Sequence, residues 1–119
     1  MATLNLTWAQ KAPGEWYTLQ GFNFSKVEVV GVYHIWCVGL ERKFNVRCGQ
    51  GIIGARLTAH KTDTAIMGHE RSGTLYVTWA AVPQQHLDAV DRYLADHYSP
   101  VEGDRYPDVV PLAVTLPGQ

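Results

Sequence analysis

The sequence predicts an α/β fold of the α+β kind, with a small antiparallel sheet of at least three strands and helices packed against it. Three observations carry this expectation. Residues 29–37 and 44–48 are strand-like runs, the first β-branched and aromatic, the second alternating apolar and polar, joined by the polar connection VGLERK, which is the pattern of a hairpin. Residues 52–59 and 84–97 place apolar side chains near helical spacing. A third strand-like run, TLYVTWAAV, follows Gly73 and lies between those helices. A hairpin and a later strand separated by one helix do not spell a doubly wound parallel sheet.

Taken in order, residues 1–20 contain the strand-like LNLTWAQ and then a proline-glycine loop, and the first of these is the candidate for an added edge strand. Residues 21–26 read as a turn. The apolar run that follows suits a central strand covered on both faces, and Gly31 within it requires the close approach of another backbone or a ligand. The hairpin then runs into a glycine turn at Gly49-Gln50-Gly51. In the helix after it, Arg56 and His60 are four residues apart and share a face. Residues 61–72 are a polar connection with a short helical turn, in which His69 and Glu70 read as exposed. Pro83 suits an early helix position, and Leu87, Val90, Tyr93, Leu94 and Tyr98 form the apolar stripe of an amphipathic helix with Asp91 at its border. Asp88 and Asp96 read as capping or solvated. Four prolines after Ser99 make residues 100–119 an extended strap.

A length of 119 residues fits one domain, 1–119, with residues 1–26 as an N-terminal extension. With 46% hydrophobic and 18% charged residues, the composition is that of a globular protein and not of a disordered or membrane one. No apolar run reaches the ~18 residues of a membrane span, and the N-terminus lacks the basic start and apolar core of a secretory signal, so a cytoplasmic location is the expectation. A formal net charge of -1 excludes the broad basic footprint of a general nucleic-acid binder. Locally, however, Arg42, Lys43, Arg47, Arg56 and Lys61 cluster with Glu41 as the only acid among them. Cys37 and Cys48 lie on the two arms of the hairpin; in a reducing compartment they are expected to be free thiols, and their spacing makes no zinc signature.

The order Gly31-Val32-Tyr33, a second strand ending at Cys48-Gly49-Gln50, and Arg56, Leu57 and His60 on the following helix resembles the core of the GIY-YIG nuclease family. The resemblance spans residues 29–100. Gly31, Val32 and Tyr33 stand for the first tripeptide, Gly49 for the glycine of the second, and Asp91 for the metal-binding glutamate of a later helix. Three departures accompany it: Arg47 stands where the second tripeptide begins with tyrosine, Asp91 is one methylene shorter than glutamate, and no asparagine matches the family's after Pro100.

The resemblance implies metal-dependent hydrolysis of phosphodiester bonds in nucleic acid, DNA first, with magnesium or manganese. In that reading Tyr33 orients or deprotonates water, His60 assists proton transfer, Arg56 clamps the scissile phosphate and Asp91 holds the metal. Arg47, Gly49 and Lys61 are the candidate substrate-binding residues. A tyrosine of pKa ~10 acts as a base only if a cation lowers that value, a role open to Arg47. The alternative expectation is a catalytically silent GIY-YIG-like module that binds nucleic acid or a protein partner, in which Arg47 grips phosphate without turnover. A small structural subunit is a third.

Overall fold

The computed structural model describes residues 3–103 and 106–118. Four segments form one sheet, β1 (Tyr17–Thr18), β2 (Val30–Val38), β3 (Lys43–Ile52) and β4 (Thr74–Ala81), antiparallel throughout and ordered β1-β4-β2-β3. Three helices complete the α+β architecture: α1 (Ile53–His60), α2 (Thr64–Met67) and α3 (Leu87–Tyr98). The radius of gyration is 13.4 Å, close to the ~13.5 Å expected of a compact chain of this length.

Strand alternation sorts the core into two layers. Tyr33, Ile35 and Cys37 of β2 pack with Ile53 and Leu57 of α1 and Ile66 of α2 on one face. Val32 of β2 and Cys48 of β3 pack with Leu87, Val90 and Leu94 of α3 on the other. The central β2 is buried from Gly31 to Cys37, as its unbroken apolar run predicts. Gly31 sits where backbone crowds it, because a Cβ there would come within 3.0 Å of the Ala81 Cα and closer still to the Ala80 carbonyl.

Several boundaries differ from expectation. Gly49-Gln50-Gly51 is no turn: β3 runs through it to Ile52, and α1 begins at once. The strand survives its glycines because β2 pairs with it along the whole length, Gly31 facing Gly51 and Tyr33 facing Gly49. The added edge strand is Tyr17–Thr18 against β4 and not LNLTWAQ. That segment instead extends across the α3-side core, where Leu4, Leu6 and Trp8 pack and the Leu4 amide donates to the Ala113 carbonyl at 2.9 Å. Residues 61–72 hold α2, capped by the Asp63 carboxylate on the amides of Ala65 and Ile66, and a 3-10 turn, Gly68–Arg71. Cys37 and Cys48 are buried free thiols and do not face each other: their partners in register are Phe44 and His34.

Candidate active site

The site grows from an irregularity in the edge strand. Ile35 pairs with Arg47 and Trp36 with Asn45, so Val46 is the extra residue of a β-bulge. Val46 turns into the α1-side core and is fully buried. The bulge thereby re-aims the next residue, and Arg47 reaches out half-buried at the sheet edge.

Tyr33 stands on the central strand directly across from Gly49. A Cβ at Gly49 would lie 2.8 Å from the Tyr33 Cε2 and closer to its hydroxyl, so glycine makes the room that the phenol occupies. The Tyr33 hydroxyl meets His60 Nε2 at 2.5 Å, and the positive charges of Arg47 and Arg56 act on the phenol. Burial, followed by the charges of Arg47 and Arg56, lowers the His60 pKa to about 4 and keeps the imidazole neutral near pH 7. Burial also raises the Tyr33 pKa, outweighing the two arginines. Tyr33 is thus a neutral phenol paired with a neutral histidine, and it is fully buried.

Asp91 comes from the opposite face. It lies on the buried side of α3 with 5% exposure, and burial raises its pKa against the opposing pull of Gln50 and Arg47. Gln50 Nε2 donates to Asp91 Oδ2 at 3.2 Å and to Asp88 Oδ1 at 2.8 Å. Asp91 Oδ1 and Arg47 Nε are the buried side-chain polar atoms without a hydrogen-bond partner among the described residues. Both belong to a cavity of about 380 Å³ that opens between β3, α1 and α3, with Arg56 on one wall and Tyr106 and Pro107 on another.

The C-terminal strap forms that second wall. Val101 and Glu102 donate their amides to the carbonyls of Asn45 and Val46 at 3.1 and 2.8 Å, and Glu102 holds His69 at 2.7 Å. Gly103, with φ of +106°, brings the chain over the site; a Cβ there would sit 2.7 Å from both Arg47 Nη1 and the Tyr106 hydroxyl. The Tyr106 phenol is pushed up to about 12, chiefly by burial.

Of the residues singled out from sequence, Arg47, Gly49, Arg56 and Asp91 line the cavity, while Tyr33 and its partner His60 lie buried behind Gly49. Lys61 does neither: its ammonium donates to the Phe22 carbonyl and lies 5.1 Å over the Phe24 ring, away from the cavity lining. Arg42 is likewise apart, over the Phe44 ring at 4.2 Å. His69, expected in solvent, is half-buried in its pair with Glu102. Gln50 and Tyr106 were not among the candidates, and Asp88 stood only as an alternative to Asp91 that read as capping or solvated. Gln50 sits one residue from Gly49 on a strand whose outward face was hidden by the expected turn, and Tyr106 lies in a proline-rich stretch with no periodicity.

Asp91 and Asp88 are oxygen donors of the kind that hard divalent cations take. Such an ion takes oxygen ligands, is commonly held by one or two carboxylates, and completes its shell with water and substrate phosphate. Asp91 offers a buried oxygen with an open lone pair, and Asp88 is tied to it through Gln50. No cluster of three or more His, Cys, Asp and Glu is present among the described residues, so the protein alone would hold such an ion loosely. Comparison with protein-family models, curated proteins and solved structures finds no match for this chain.

Proposed function

We propose that the chain is a metal-dependent endonuclease of the GIY-YIG type. The observation that carries this reading is one cavity lined by two guanidiniums and a buried carboxylate with one unpartnered oxygen, with a tyrosine-histidine pair packed behind its Gly49 wall. Hydrolysis of a phosphodiester needs a site for the phosphate, a path for the water's proton and charge neutralisation at the departing oxygen. Arg47 and Arg56 bind the phosphate oxygens, and their forks suit them to it. Tyr33 is fully buried, so the phosphate that engages both guanidiniums must open the phenol to water. Tyr33 then accepts the water's proton as it passes its own to His60 Nε2. Asp91 and, beside it, Asp88 would hold magnesium or manganese, which supplies Lewis-acid neutralisation of the phosphate.

The test is cleavage of labelled branched, single-stranded and duplex DNA with magnesium, manganese or chelator, beside Arg56→Ala. Arg56 is exposed, so its loss spares the fold. Metal-dependent cleavage that falls about 10²- to 10³-fold in the variant is expected. Equal cleavage by the variant would overturn the assignment of the phosphate clamp.

Two observations favour a second reading. Tyr33 is fully buried, and Arg47 occupies the position of the family's second tyrosine. Both suit a silent module that binds a phosphate backbone without turnover. Salt-dependent binding of DNA with no cleavage on any substrate would establish that alternative.

A further inference from the structure

We propose that the outer edge of β3 carries a second binding station and that the two together select single-stranded nucleic acid over duplex; this rests on the nucleic-acid reading of the first site. A cavity of about 440 Å³ opens further along the same edge, lined by Lys43, Asn45, His97, Tyr98, Leu116 and Pro117, with Phe44 at its margin. Its floor is fixed. Asn45 donates its amide to the Tyr98 carbonyl at 3.0 Å and accepts from His34 Nε2 at 3.0 Å, while the His34 ring stacks on Tyr98 with centroids 4.0 Å apart. This orders an aromatic face at the cavity wall. Lys43 and His97 are exposed at its mouth, and neither forms a salt bridge among the described residues.

The two cavities repeat one design. Each joins basic side chains on β3 and a helix, an aromatic ring and a proline: Arg47, Arg56, Tyr106 and Pro107 in the first, Lys43, His97, Tyr98 and Pro117 in the second. A positive groove interleaved with rings is how proteins hold single strands, since each base offers a π-face to stack. Lys43 and Arg47 are four positions apart on the strand, a span of ~13 Å, which a few nucleotides of extended chain bridge. Between them rises the strap, pinned to Asn45 and Val46 by two main-chain hydrogen bonds. A single strand can rotate its backbone over that ridge and turn a base into each cavity. A stiff duplex, its bases stacked inward, cannot.

The small cationic set also sets the salt dependence. Two to three neutralised phosphates give a slope of log K against log salt of about -1.4 to -2 for a single strand, which agrees with a chain of net charge -1. The experiment is fluorescence anisotropy of labelled oligothymidylates of increasing length, and of matched duplexes, in chelator so that cleavage is absent. Affinity should rise with length until the strand spans both stations and then level, with duplexes weaker. Lys43→Ala/His97→Ala, two exposed changes, should remove that gain and flatten the salt slope by about 0.7 for each phosphate no longer neutralised. Duplex binding as tight as single-strand binding, or an unchanged length dependence in the double variant, would overturn the second station. Binding of no nucleic acid would instead sink the reading on which it rests.

Discussion

Acid should unfold this protein through its buried histidines, and His60 provides the cleanest measure. Its folded pKa of about 4 lies below an ordinary 6.5, so between those values the unfolded chain binds a proton that the folded chain refuses. Stability contributed by His60 is fully present above pH 6.5 and is lost as pH falls through about 4. The loss has a local slope of ~1.4 kcal/mol per pH unit and totals ~3 kcal/mol. His34, held at about 3 by burial against Asn45, acts with the same sign over a window reaching lower. Asp91 acts oppositely: its raised pKa makes the folded state the better proton binder, so its contribution grows as pH drops into its window. The perturbation that isolates His60 is His60→Gln, because a constant loss from the Tyr33 hydrogen bond shifts the whole curve while only the titration changes its slope. Urea midpoints at intervals from pH 8 to 4, for wild type and variant, give the difference curve. The variant should be the weaker protein at pH 7.5 and should lose less on acidification, by ~3 kcal/mol at pH 4. A difference curve flat with pH would show that His60 titrates normally, and the neutral relay from Tyr33 would fall with it.

Further tests address the glycine and the carboxylate. Gly49→Ala forces its methyl into the Tyr33 ring, and as that ring is fully buried it should cost about 1–3 kcal/mol and abolish cleavage; in a Tyr33→Leu background the same change should cost much less, and equal costs in the two backgrounds would refute the packing argument. Tyr33→Phe leaves His60 Nε2 buried without its partner and should lower stability by about 1–3 kcal/mol in chemical denaturation, an unchanged midpoint counting against the bond. Magnesium at about a hundredfold excess over its dissociation constant should stabilise the wild type by about 2.7 kcal/mol, whereas Asp91→Asn should keep its stability in chelator and gain nothing from the ion. A variant that still responds to magnesium in a melting assay would place the metal elsewhere.

Much of this architecture is legible in local pattern because local pattern caused it. The β2 run is apolar on both faces since two layers cover it, and Gly31 lacks a side chain because the β4 backbone passes there. The α3 stripe placed Asp91 at the border of the core, where it indeed lies buried. Lys61 was misassigned because a cation near a helix end reads as available, yet its long stem lies over Phe24 and its head is consumed by a carbonyl of the preceding loop. Tyr106 reaches the site only through the path of the strap, which short-range pattern does not encode.

The glycines of Gly49-Gln50-Gly51 show where such reading stops. Alone, they signal a turn by their freedom of backbone. Here they serve two tertiary demands inside a strand, one making room for the Tyr33 phenol and the other adopting φ of +132° as β3 hands over to α1. The bulge at Val46 is equally silent: an apolar residue followed by an arginine looks like ordinary alternation. Only its partner strand reveals that the ladder has slipped by one residue. That slip lets Val46 enter the core while Arg47 turns to the edge, where it meets Tyr33 from β2 and the charge of Asp91 from α3. Deleting Val46 would restore a regular ladder at the cost of the core residue and swing Arg47 away. The arginine at position 47 and the irregularity of the strand are therefore coupled: its guanidinium reaches the cavity because the bulge aims it there.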